Sequence, residues 1–192
     1  MTSFKNLKIN AKILVSNLIS MAFLLLVAGY GFYQLNTSIN ALQDIYENRI
    51  IPLKQMNIVS RDLMQIRVNM LAELIALQEG DTTESRRRID DTDRLKKEME
   101  EQLLAFEKTV LTEEEARRYA DYRSAEKAGA EIRGRFRDAI LRGQEEEARR
   151  LSVQWSDNYR QMRDHINRIV DIQSEVAQQL YEEEVTAFKI TV

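Results

Sequence analysis

The chain has no cysteine, a single proline (Pro52), a single histidine (His165) and six glycines in 192 residues. Without cysteine there are no disulfides and no thiolate metal sites. One histidine gives no support to a histidine metal triad or a Ser-His-Asp arrangement. So few proline and glycine residues leave little material for turns, and the abundance of Leu, Glu, Arg, Gln and Ala points to a handful of long helices. Charge of one sign is also missing. The formal net charge is -3, with basic and acidic residues interleaved, as on solvated helix faces, and nothing suggests a nucleic-acid partner. The acidic run Asp90, Asp91, Asp93, Glu98, Glu100 and Glu101 is interrupted by Lys96 and Lys97 and lacks the glycine-bearing loop of a calcium site. No phosphate-cradling glycine motif occurs. Neither a catalytic residue, a metal ligand nor a cofactor is expected.

One long hydrophobic run is present. From Ile13 to Gln43 no residue is charged, and Ile13 to Tyr33 is the most apolar part. About 20 residues at ~1.5 Å each cross a hydrocarbon core of ~30 Å, so residues 13–33 are read as a transmembrane helix. Lys5, Lys8 and Lys12 precede it, and Asp44 and Glu47 follow. The positive-inside bias places residues 1–12 in the cytoplasm and residues 34–192 outside, anchored in a cell inner membrane, with Tyr30, Phe32 and Tyr33 at the outer interface. The rival reading, a cleaved signal peptide, is disfavoured by the length of the run and by the poor cleavage site Ala28-Gly29-Tyr30.

Helical periodicity runs through the remainder. After Pro52, where a kink or short break is expected, Met56, Val59, Leu63, Ile66, Met70, Leu74 and Leu77 step by three and four. Glu79-Gly80-Asp81 reads as a stop followed by a new cap. A second helix is expected from about Thr83 to Val110, with Ile89, Leu95, Met99, Leu103 and Phe106 inside. Leu111-Thr112-Glu113-Glu114-Glu115 is a capping box. The third helix carries Tyr122, Ala125, Gly129, Ile132, Phe136 and Ala139, and Arg142-Gly143 closes it. The fourth runs from near Gln144 to about Lys189 on Ala148, Leu151, Trp155, Tyr159, Met162, Ile166, Ile169, Val176 and Leu180. The expected fold is all-α: an antiparallel up-down-up-down four-helix bundle with two long and two shorter helices, preceded by one transmembrane helix.

Asn6-Leu7-Lys8-Ile9 before the anchor, Tyr46-Glu47-Asn48-Arg49-Ile50-Ile51-Pro52-Leu53 after it, and the boundaries Leu111–Glu114 and Gly143–Ala148 resemble the sensor domain of methyl-accepting chemotaxis proteins. The resemblance covers essentially the whole chain. It implies a dimeric periplasmic or extracellular receptor domain that binds a small molecule and passes the signal by small helix displacements. A full receptor of this kind continues into a second span and a cytoplasmic output; the sequence stops at Phe188-Lys189-Ile190-Thr191-Val192, about where that span is expected. Two other readings stand beside it: a membrane-anchored helical adaptor or structural protein, and the sensor of a histidine kinase.

A second apolar stripe, Met64, Val68, Leu71 and Ile75, is offset from the first on the same helix. It fits either a homodimer face or a broad core-facing side. Arg61 and Arg67 lie below the Gly80 turn at about the height at which Trp155, Tyr159 and Arg163 lie below the Gly143 turn. Arginine suits a carboxylate and the aromatics suit an apolar wall, so these five residues are the candidate ligand site. The corresponding ligand is a small organic acid, amino acid or aromatic acid. The alternative is that the arginines pair with neighbouring carboxylates and the aromatics simply pack.

Overall fold

The computed structural model describes residues 9–191; Lys5, Lys8 and the Asn6–Lys8 part of the family-like motif lie outside the described residues. Helix α1, Ile9–Ile45, has 37 residues. Ala11 begins the one helical run among the described residues that is long and apolar enough to cross a membrane, and none of its apolar window is buried by the protein. Residues 13–43 carry no charge and expose Leu and Phe on every side, which fits a membrane-spanning helix.

The second unit, residues 45–192, begins at a widened turn. Tyr46–Ile50 is π-helical, and the Ile51 N–H donates to the Tyr46 carbonyl five residues back. Pro52 follows in the first turn of α2, Ile51–Glu79. Proline has no N–H to donate and its ring crowds the preceding turn, which the wider spacing relieves. The expected break is therefore a π-turn within helical backbone.

Helix α2 ends at Gly80, whose φ of 74° is left-handed, and α3, Thr82–Phe106, starts on Asp81, whose carboxylate accepts from the N–H groups of Thr83 and Glu84. The cap is thus Asp81, and α3 stops at Phe106, four residues short of Val110. The capping box expected at Thr112 forms: Glu115 N–H donates to Thr112 Oγ1 at 3.2 Å, and Thr112 N–H to Glu115 Oε2 at 2.7 Å. It opens α4, Glu113–Leu141. Gly143, with φ 71°, turns the chain into α5, Glu145–Thr191, of 47 residues.

The core follows the three-and-four spacing. Met56, Val59, Leu63, Ile66 and Met70 of α2 are buried with Ile89, Leu95, Met99, Leu103 and Phe106 of α3. They meet Tyr122 and Phe136 of α4 and Leu151, Trp155, Met162, Ile166 and Ile169 of α5. Val176 and Leu180, expected inside, are only half-buried, Val176 lying against the first turn of α4; among the described residues Ile172 is the last buried apolar one. Backbones approach closely between α2 and α3, α4 and α5, and α2 and α5. In the α4–α5 pair a Cβ at Gly129 would collide with Asn158 Oδ1, and Asn158 Nδ2 donates to the Ala125 carbonyl at 2.8 Å. Helices α3 and α4 face each other across a wider seam. Long side chains span it: Arg123 to Glu100 at 2.8 Å and Arg137 to Asp93 at 3.2 Å.

Polar groups are buried on α2 as well, at Asp62, Asn69 and Glu73. Asp62 accepts from Arg61, and Asn69 bonds Asp91, Thr92 and Arg88 of α3. Near the start of α2, the largely buried Arg49 pairs with the fully buried Glu115 at 3.5 Å and donates to the Val110 carbonyl. Arg49 thereby ties the α3–α4 connection to the π-turn. Removing one member of a buried pair strands the other charge, at roughly 3 kcal/mol or more. Arg49→Met is expected to lower stability by about that amount in thermal denaturation of the full chain, whereas Arg87→Met, whose ion pair with Glu84 is exposed, changes it little.

Burial holds the Glu73 carboxyl up at about 8, against an ordinary 4.5. Its folded form therefore keeps a proton that the unfolded chain releases. Stability from this group is full below pH 4.5 and is lost as pH rises through 8, by a few kcal/mol at most. Glu73→Gln is expected to flatten the fall in melting temperature between about pH 5 and pH 8.5.

Candidate ligand sites on the bundle

The five residues expected to form a ligand site are not brought together as one cluster. Arg67 lies with its guanidinium carbon 4.8 Å above the Tyr159 ring, and the Trp155 and Tyr159 rings are 5.5 Å apart. This triad closes the seam between α2 and α5. Trp155 and Tyr159 are buried, so the aromatic pair is also core. Arg163 is exposed one turn beyond Tyr159 on α5. Arg61 turns to the other side of α2, donating to Asp62 at 2.8 Å and to Glu98 of α3 at 2.7 Å. The two arginines are six residues apart, which on a helix puts them on opposite flanks rather than one face. Arg67 and Tyr159 meet at one height, while Arg61 faces α3.

The α2 face beside Arg67 is uncovered. Met64, Val68, Leu71 and Ile75 are 60%, 43%, 47% and 54% exposed. Of the two readings of the second stripe, the broad core-facing side is thus excluded within one chain. Arg67 stands one turn from both Met64 and Leu71, so its cationic head borders this apolar strip.

A second concavity, overlooked in the sequence, lies at the wide α3–α4 seam. It has a volume of about 90 Å³ and is lined by Met70 and Glu73 of α2, Ile89, Thr92, Asp93 and Lys96 of α3, and Arg133, Gly134, Phe136 and Arg137 of α4. Apolar Met70, Ile89 and Phe136 share its lining with charged side chains, the buried Glu73 among them. Asp93 pairs with Arg137 and, at 3.8 Å, with Lys96. Periodicity could have located it: Glu73 falls between Met70 and Leu77 on the core stripe, where a carboxyl is out of place. Among the described residues no cluster of three or more His, Asp or Glu side chains is arranged to hold a metal ion.

Neither curated proteins nor solved structures give a significant match to this chain. A family model described as a four helix bundle sensory module for signal transduction matches residues 6–188. That span runs through α1, the π-turn, both candidate sites and nearly all of α5. With the all-helical bundle observed independently, the chain belongs to the family of four-helix-bundle sensory modules of chemoreceptors.

Proposed function

We propose that this chain is the ligand-sensing, membrane-anchored part of a bacterial chemoreceptor that binds a small carboxylate and signals by small helix displacements. In this reading residues 1–12 are cytoplasmic and residues 13–33 span the inner membrane. Residues 34–192 are then the extracytoplasmic sensor, periplasmic or extracellular. Two copies pack through Met64, Val68, Leu71 and Ile75. The observation that carries the reading is the Arg67–Tyr159 contact beside that uncovered strip. A cation stacked on a ring has its face covered but its edge N–H groups available, as a carboxylate requires.

Dimerisation would shield Arg67 from water and strengthen its pairing with an acid. Trp155 and Tyr159 supply the apolar wall, and Arg163 a second cation on α5. Arg61, held by Asp62 and Glu98, stands outside this site. A ligand gripping α2 and α5 together bears on the two helices through which the α2–α3 and α4–α5 pairs are joined. A sub-ångström shift there moves the two hairpins relative to each other, as sliding of packed helices does.

Thermal-shift screening of the full chain against organic, amino and aromatic acids tests the site. A stabilising acid is expected to bind at least about tenfold more weakly to Arg67→Ala, while Arg61→Ala leaves affinity unchanged. Unchanged affinity in Arg67→Ala contradicts the assignment.

A further inference from the structure

Helices α3 and α4 do not pack backbone to backbone; their seam is held by side chains, and the cleft beside the Arg137–Asp93 bridge reaches inward to α2. Glu73 of α2 lines that cleft and is 3% exposed. Among the described residues its carboxyl takes part in no hydrogen bond, only in longer-range interactions with charges. Burial is the largest influence on it and favours the neutral form. Arg137 of α4 and Arg88 of α3 favour the ionised form, Asp93 of α3 opposes it, and no charge from α5 acts on it. Lys96 and Arg133 line the same cleft without acting on Glu73. Arg88 is already engaged, by Glu84 at 2.6 Å and Asn69 at 3.2 Å. Arg137 is held only by Asp93 among the described residues, at 3.2 Å, in a pair whose side chains are 50% and 46% exposed. So exposed a pair contributes little, whereas an ionised carboxylate buried without a partner is strongly unfavourable. That imbalance decides which carboxylate Arg137 serves.

We propose that the α3–α4 seam is a proton-operated joint: when Glu73 loses its proton, Arg137 leaves Asp93 for Glu73, and α4 shifts away from α3 and toward α2. The ligand of this joint is the proton, so the module responds to alkaline surroundings independently of any small molecule. With Glu73 neutral, nothing competes with Asp93 for Arg137 and the bridge across the seam stays closed. Burial holds the Glu73 carboxyl at about 8, so the neutral form prevails below that pH and the charged form above it. The new charge is drawn to the facing cation whose existing bond is weakest, which is Arg137. Elsewhere along the seam Arg123 keeps both its bonds to Glu100, at 2.8 and 2.9 Å, so α4 pivots about that bridge and the helices do not separate. The α4–α5 hairpin then moves against the α2–α3 hairpin by the kind of small shift that packed helices allow. Only the meaning of this movement as a signal rests on the sensory reading; the joint itself requires no ligand at the α2–α5 seam.

Because the chain has no cysteine, thiols introduced at the exposed Lys97 of α3 and Glu131 of α4 carry a pair of spin labels across the seam. Their separation is read by electron paramagnetic resonance in the full chain in detergent, between about pH 6 and pH 10. A change of about 2 Å or more is expected, with its midpoint near pH 8 and with helical circular dichroism unchanged. Glu73→Gln, neutral throughout, is expected to keep the low-pH separation at every pH. Arg137→Met abolishes the change although Glu73 still titrates, as the carbon-13 shift of its carboxyl reports. Asp93→Asn, at an exposed position, moves the midpoint down by about half a pH unit or more, since Asp93 favours the neutral form of Glu73. Arg67→Ala leaves the response intact, which separates the joint from the α2–α5 seam. A constant separation overturns the proposal, as does a change that survives in Glu73→Gln or Arg137→Met, or one lost in Arg67→Ala. Loss of helical signal over the same pH range overturns it too, because the chain would then be unfolding.

Discussion

The bundle depends on one constraint, the apolar stripe of α2. Met56, Val59, Leu63, Ile66 and Met70 are all within 3% of complete burial, and α2 is the element that packs closely against both α3 and α5. The two hairpins, α2–α3 and α4–α5, are joined mainly through this helix. Stripping water from such side chains stabilises by roughly 1.5–3 kcal/mol each, so α2 cannot rotate without exposing several at once. Its rotation then dictates what its remaining faces present. One flank carries Arg61, Asp62 and Asn69 toward α3; the other carries Arg67 toward Tyr159. The outermost face presents Met64, Val68, Leu71 and Ile75.

The same constraint explains why polar chemistry gathers where it does. Helices α3 and α4 are joined to the rest through their hairpin partners, and their mutual seam is left to long charged side chains. Those chains bridge a gap that small apolar residues could not close, and a concavity remains beneath them. At the start of α2, Arg49 with Glu115 is a buried pair that fixes where the α3–α4 connection sits.

Much of this was legible in the residues. Helix number, the caps at Thr112 and Gly143, and the stripes on α2, α3 and α4 follow from three-and-four spacing and capping chemistry, which are local. Pro52 was legible as a disturbance, but whether it bends, breaks or widens the helix depends on packing around it. The grouping of Arg61 with Arg67 failed because six residues is more than one and a half helical turns: equal height is not a shared face. Val176 and Leu180 kept the core period but are only half-buried, near the level at which α4 begins. The misplaced carboxyl of Glu73 was legible on the α2 stripe, but the cleft that it lines is made by three helices, and no single-helix pattern contains that. The identity of the family was carried by the Tyr46–Leu53 stretch and the helix boundaries, and the family match over residues 6–188 agrees.

In the proposed dimer α2 serves two sets of neighbours, its own bundle on one side and a second copy on the other. Because the chain has no cysteine, a single introduced thiol reports on that face without background. Leu71→Cys in membranes is expected to form a disulfide-linked dimer on mild oxidation, since residues near a two-fold axis bring their Cα atoms within about 7 Å. Lys97→Cys, on the solvated side of α3, is expected to remain monomeric. Equal crosslinking of the two, or none at Leu71, would contradict the proposed dimer face and the site built beside it.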